Sequence, residues 1–161
     1  MKAITIWQPW ATLIAIGAKR YETRSWSTTY RGPLAIHAAK RKIGGVPFED
    51  SPIMMEVGDY QVVRKNVRAA GSKIRSEGDF LRTPALPWED DEFIYDWPIR
   101  YGAVIAVVEI ESIGYTENVP VEERVLGDFT PGRFAWKLAN VQPISPVPAQ
   151  GSQRLWNWEP A

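Results

Sequence analysis

One long apolar stretch, residues 102–113, constrains the fold of this 161-residue chain more than any other feature of the sequence. It is rich in Val and Ile and long enough to cross a whole sheet, which is typical of a central β-strand. Shorter alternating segments, separated by Gly and Pro, predict further strands at residues 3–6, 19–26, 33–38 and 134–138. Strands and helices do not alternate regularly, so the pattern favours a mainly β (α+β) fold, a small β-barrel, over a parallel α/β sheet.

Helices are predicted at two places beside these strands. An early helix is expected over residues 10–17, with Pro9 in its first turn and Gly17 at its end, because glycine readily takes a positive φ. Residues 50–82 predict one or two surface helices, and the prolines of residues 141–149 suit an edge or covering segment. The length fits a single domain.

The composition argues against several kinds of chemistry. With no Cys, the chain has no disulfide, no thiolate nucleophile and no Cys-ligated zinc. No window reaches ~18 consecutive apolar residues and the N-terminus lacks a long apolar region, so a cytoplasmic protein without membrane association is predicted. Four successive carboxylates at residues 89–92 are more typical of a solvated loop than of a metal site. We therefore expect neither a metal nor a cofactor.

The net charge of zero conceals a strong asymmetry along the chain. Residues 1–42 contain eight Lys and Arg against one Glu, a net charge of +7, whereas residues 83–161 contain five basic and twelve acidic residues, a net charge of −7. A basic N-terminal third indicates directed nucleic-acid binding, although charges that mix on the folded surface would give the same totals.

Four charged residues fall within residues 17–24, where the early helix meets a strand. Lys19 and Arg24 can bind phosphate, the first as a point charge and the second as a planar fork. A period of two places Glu22 on the same face as Arg24, where it can accept a hydrogen bond from a base. An internal ion-pair network among the three is the structural alternative. The aromatic residues that could stack on a base are Trp7, Trp10 and Trp26.

The Gly-x-Lys-x-x-Glu-x-Arg spacing of residues 17–24 resembles the signature of the ASCH family, a branch of the PUA-like β-barrels. The likeness continues in Ile-Trp-Gln-Pro-Trp-Ala at residues 6–11 and in Leu-Trp-Asn-Trp at residues 155–158. It implies one ASCH domain over residues 1–161, with the early helix beside a cleft and a helical, lineage-specific insertion at about residues 43–98.

The resemblance implies that the cleft binds RNA, a nucleotide or a modified nucleoside, and that the signature residues Lys19, Glu22 and Arg24 line it. It adds neighbouring candidates for ligand contact, which are Gln8, Trp10, Trp26, Arg31 and Lys40.

Two alternatives to a binding module remain open. The family is also associated with ribonuclease and nucleoside amidohydrolase activity, for which Lys19, Glu22 and His37 are the catalytic candidates. The amidohydrolase relatives carry a nucleophilic Thr where this chain has Glu22, which favours recognition over nucleophilic attack. A lone His at the end of an apolar strand is also more often structural than catalytic. The other alternative is a protein-interaction module that uses the acidic residues 89–96 as its contact surface.

Overall fold

The computed structural model describes residues 1–8, 10–40 and 100–160. No helix in this part of the chain is long and apolar enough to cross a membrane. Three predictions lie outside the described residues, namely the surface helices at 50–82, the acidic segment at 89–96 and the insertion at 43–98.

Six strands, one α-helix and two 3-10 helices form the described chain. In chain order they are β1 (Lys2–Ile6), α1 (Trp10–Ala15), β2 (Tyr21–Arg24), β3 (Pro33–Ala38), β4 (Ala103–Tyr115), the 3-10 helices Thr116–Asn118 and Val121–Leu126, β5 (Phe134–Pro148) and β6 (Leu155–Asn157). They make one sheet in the order β2-β5-β4-β3-β1-β6, in which β1 and β3 are parallel and the other neighbours antiparallel. The prediction of a mainly β fold with a few helices is confirmed, and β4 is central.

The helix α1 ends at Ala15, and the glycine that the sequence indicates lies in the turn that follows it. Gly17 has a φ of 76°, in the left-handed region that favours glycine, and its N–H donates to Ile14 O over 2.8 Å. Ala11, Ile14 and Ala15 of α1 are buried in the main core against the sheet. We refer to the side of the sheet that carries α1 as the inner face.

The strand β5 runs further than the sequence predicts. The predicted strand stops at residue 138, but β5 continues through three prolines to Pro148. Its partner β2 pairs with residues 134–137, and the Leu138 N–H donates to Arg20 O just before β2; after Leu138 the described ladder of β5 is formed with β4 alone. Proline costs no ladder hydrogen bond on such an open edge, which explains why the strand persists.

The two edges of the sheet meet, although within the described residues no ladder joins them. β2 and β6 stand at opposite ends of the strand order. Even so, Arg24 of β2 donates from Nη2 to Thr5 O in β1 over 3.0 Å. The guanidinium carbon of Arg154, just before β6, lies 5.8 Å from the centre of the Trp26 ring. The sheet is therefore rolled toward a barrel, and side chains connect its edges at a joint that we term the edge seam (Thr5, Arg24, Trp26 and Arg154).

Candidate functional site

The three signature charges are in contact and run from the interior to the surface. Lys19 is 2% exposed, Glu22 is 8% exposed, and the side chain of Arg24 is 24% exposed. The Glu22 carboxylate lies between the two cations, 3.7 Å from Lys19 Nζ and 3.0 Å from Arg24 Nη2. In the β2–β5 pair, Glu22 stands opposite Trp136 and Arg24 opposite Phe134, so both project from the inner face, on the same side as the period of two predicts.

The ammonium group of Lys19 is occupied by internal partners. Its Nζ donates to Tyr21 O over 2.6 Å and to Leu126 O over 2.7 Å, and the Phe129 ring lies 5.5 Å away. Burial lowers the pKa of the Lys19 amine, while the neighbouring Glu22 carboxylate opposes that effect. An ammonium has three N–H donors, and here they face two carbonyls and one carboxylate. Lys19 thus links the start of β2 to the end of the second 3-10 helix.

Arg20 makes a second link to the same 3-10 helix. Its guanidinium donates to the carboxylate of Glu123, which is 2% exposed, whereas the Arg20 side chain is 42% exposed. The hydrogen bond to Glu123 raises the pKa of Arg20. Consecutive cations at the helix exit therefore hold the segment Val121–Leu126 against β2.

Arg24 keeps donor capacity that the protein does not use. Its Nη2 is shared between Thr5 O and the Glu22 carboxylate, each 3.0 Å away. Its Nε is buried and has no hydrogen-bond partner. A guanidinium presents five N–H donors in a fixed plane. The guanidinium is therefore anchored by two protein oxygens, and although its Nε is buried, 24% of the side chain remains exposed to an added acceptor.

The three tryptophans predicted to stack on a base have different surroundings. Trp26 packs edge-on against the buried Trp136, with ring centres 4.9 Å apart and an interplanar angle of 86°. Trp10 opens α1 and is partly buried against the main core. Trp7 directly follows β1 and is 50% exposed. Of the three tryptophans predicted to stack on a base, Trp7 thus has a substantially exposed side chain.

The other predicted contact residues have different surroundings. Gln8 is 2% exposed; its Oε1 accepts from the Thr12 N–H of α1 and its Nε2 donates to Arg100 O. Arg31 is exposed and donates to the carbonyls of its own turn. Lys40 is exposed after β3, with its stem beside Gly102. In the described part of the chain, these bonds do not connect Gln8, Arg31 or Lys40 to the signature residues.

His37 belongs to the outer face of the sheet. Its Nε2 lies 3.1 Å from Ala149 O and its Nδ1 3.2 Å from Thr5 Oγ1, while the ring meets Trp156 edge-on. A carbonyl only accepts, so Nε2 carries the proton in the neutral ring. Burial lowers the pKa of His37. Of the three catalytic candidates, Lys19 and Glu22 are in contact on the inner face, whereas His37 lies on the outer face with other partners. The structure therefore does not bring all three together.

Several partners of the site were not predicted from the sequence. They are the carbonyls of Thr5 and Leu126, the carboxylate of Glu123 and the guanidinium of Arg154. Backbone carbonyls leave no trace in a sequence, and Leu126 is 107 residues from the lysine that it binds. The sequence places Arg154 directly before the terminal strand, but no sequence motif indicates that it lies near Trp26.

Comparisons with known proteins place this chain in a family. The family model of the ASCH domain matches residues 4–148. A stretch of 77 residues, 48% of this chain, is 34% identical to human activating signal cointegrator 1, and it spans only 11% of that protein. A crystal structure of an ASCH protein from Zymomonas mobilis has 15% identity and a TM-score of 0.47, covering 98% of this chain and 87% of that one. A mutant of the same protein has 15% identity and a TM-score of 0.46, covering 98% and 89%.

Proposed function

Since this chain belongs to the ASCH domain family, we propose that it binds RNA or a nucleotide at the edge seam, with Arg24 contacting a phosphate. The observation that carries this proposal is the state of the Arg24 guanidinium. Thr5 and Glu22 hold it in place, and its side chain is still 24% exposed. A planar fork that is fixed on one side and open to an added acceptor suits the geometry of a phosphate.

In this proposal Glu22 and Lys19 prepare Arg24 for the ligand. Glu22 orients the guanidinium through its 3.0 Å ion pair, and Lys19 holds Glu22 from the interior. A lone carboxylate beside a phosphate would repel it. The three side chains together carry a charge of +1 when all are ionised, because two cations flank one carboxylate. The signature therefore remains favourable to an anion while it fixes the position of the arginine.

The neighbouring aromatic residues support a ligand that contains a base. Trp7 is half-exposed and lies two residues after Thr5, whose carbonyl anchors Arg24. Stacking of a base on an aromatic side chain contributes ~1–3 kcal/mol and tolerates any base. The basic N-terminal third adds long-range attraction for the phosphate backbone. Phosphate contact and base stacking together fit RNA better than a simple inorganic anion.

We propose recognition rather than hydrolysis. Hydrolysis by Lys19, Glu22 and His37 would need a proton-transfer group beside the signature charges, and the single His instead bonds Thr5 and Ala149. The purified protein should therefore leave both RNA and acetylated cytidine intact. Product formation that disappears in Glu22→Gln would overturn this part of the proposal.

Fluorescence anisotropy tests the binding site directly. A labelled RNA hexamer is titrated with the wild type, with Arg24→Gln and with Lys2→Gln, at ~50 mM and ~200 mM salt. Lys2 is the matched control because its exposed ammonium donates to Asn157, at the other end of β1 from Thr5. Arg24→Gln should weaken binding about tenfold, which corresponds to ~1.4 kcal/mol. Equal affinity in the two variants would exclude the edge seam as the site.

A further inference from the structure

Arg154 reaches the edge seam from beyond the family-model match, which ends at residue 148. The β1–β6 register pairs Ile4 with Leu155, so Arg154 lies beside Thr5, the residue whose carbonyl anchors Arg24. Its guanidinium carbon is 5.8 Å from the centre of the Trp26 ring, within range of a cation–π contact. Two guanidinium groups, one from each edge of the rolled sheet, therefore converge on the same joint.

The backbone at Arg154 takes a conformation that side chains disfavour. Its φ is 58°, in the left-handed region, where glycine or asparagine is the usual occupant. Residues held in such sparsely populated conformations cluster at ligand-binding and active sites. The chain keeps a large cation at a position where glycine would fold more easily.

Among the described residues, Arg154 differs from three other arginines in its ion pairing. Arg20 pairs with Glu123, Arg24 with Glu22 and Arg133 with Asp128. Among the described residues no carboxylate pairs with Arg154, which is exposed and rests on an aromatic ring. Its guanidinium carbon lies 5.8 Å from the centre of the Trp26 ring, and the exposed side chain leaves N–H donors available for a phosphate.

We propose that Arg154 is a second phosphate-binding residue of the edge seam, and that the ligand is single-stranded RNA whose backbone crosses from Arg24 to Arg154. This inference rests on the proposed function. One fork would serve the single phosphate of a mononucleotide, whereas two forks from different strands fit successive phosphates of a chain. Splayed bases of a single strand can also stack on Trp7, which a paired duplex would not allow.

The test uses two substitutions at the same position. Glycine adopts a φ of 58° without strain. Arg154→Gly therefore removes the guanidinium without adding backbone strain, and the melting temperature should stay the same or rise. It should bind the RNA hexamer about tenfold more weakly, with a salt slope lower by about 0.7, the value for one lost contact to a single strand. Arg154→Lys restores the charge and should recover most of the slope. Lys2→Gln, the matched control, should behave as the wild type.

The outcomes separate this inference from the proposed function. A wild type that binds neither RNA nor AMP overturns both, whereas one that binds AMP but no RNA overturns this inference alone. If the wild type binds and Arg154→Gly binds equally well, the role of Arg154 is refuted and the proposed function stands. If Arg154→Gly weakens AMP and the hexamer by the same factor, the ligand is a mononucleotide and the assignment to single-stranded RNA is wrong. A loss of binding that tracks a lower melting temperature, without recovery in Arg154→Lys, assigns Arg154 a structural role instead.

Discussion

Replacement of Lys19 by methionine separates a structural role of this lysine from direct contact with the ligand. Lys19→Met keeps the length of the side chain and removes the ammonium, which donates to Tyr21 O and Leu126 O and faces Glu22. Because Lys19 is 2% exposed, water cannot easily replace these bonds. We expect a marked loss of stability with little direct effect on the ligand.

The size of the effect follows from the groups left behind. A buried acceptor without a donor costs ~1–3 kcal/mol, and two carbonyls are affected. Glu22 keeps Arg24 as a cationic partner, and the cost of burying the ammonium itself disappears, which offsets part of the loss. A net destabilisation of ~3 kcal/mol is expected. For a chain of this size, each kcal/mol lowers the melting temperature by ~2–4 °C, so a fall of about 6–12 °C should result.

Urea unfolding followed by tryptophan fluorescence measures this change, and RNA anisotropy on the same samples measures binding. Lys40→Met is the control, since Lys40 is exposed and its loss should change stability by less than ~0.5 kcal/mol. Under conditions in which it is folded, Lys19→Met should bind RNA within about threefold of the wild type, against the tenfold loss for Arg24→Gln. Unchanged stability together with abolished binding would refute this assignment and make Lys19 a ligand contact.

Three further predictions follow from the packing. Gly151→Ala should destabilise the fold by ~1–3 kcal/mol in urea, because a Cβ there would lie 2.5 Å from His37 Nδ1. Gly114→Ala is the control and should behave as the wild type, because no described atom lies within 4 Å of the added Cβ. Burial lowers the pKa of His37, so as the pH falls the unfolded chain takes up a proton before the folded protein does, and the free energy of unfolding should decrease below about pH 6.5. His37→Gln should show a flatter dependence of this free energy on pH between about pH 7.5 and 5.5. Equal pH profiles of stability in the two proteins would contradict this. Arg20→Ala removes the ion pair between Arg20 and the buried Glu123 and should cost ~1–3 kcal/mol, with partial recovery in the double variant with Glu123→Gln.

The fold was predictable from the sequence where the signals are local. The Val- and Ile-rich segment identifies β4. The turn after α1 is identified by Gly17, because a positive φ after a helix is a local preference of glycine. The extent of β5 was predictable only in part, since the prolines of residues 141–149 suggested an edge or covering segment but not that it continues the strand that begins at residue 134. Its prolines are compatible with a strand only because β2 stops pairing at residue 137, a fact of the tertiary structure.

The candidate site was also predictable only where the signals are local. Strand periodicity was enough to place Glu22 and Arg24 on one face, and they form an ion pair there. The gradient of burial from Lys19 to Arg24 depends on Leu126 and Thr5, which reach the signature from distant parts of the chain. Sequence patterns identify the charged residues, but they do not indicate which of them a long-range contact will bury.

The side-chain NMR signal of Arg24 tests the central claim most directly. Its buried Nε–H belongs to the same conjugated guanidinium as the exposed part of the side chain, so a phosphate that engages this group should move the Nε–H resonance as RNA is added. The account predicts a saturable shift of the Arg24 Nε–H signal that follows the same binding curve as the anisotropy, together with a shift of the Trp7 indole. RNA that binds with the same affinity while the Arg24 signal stays in place would contradict the account.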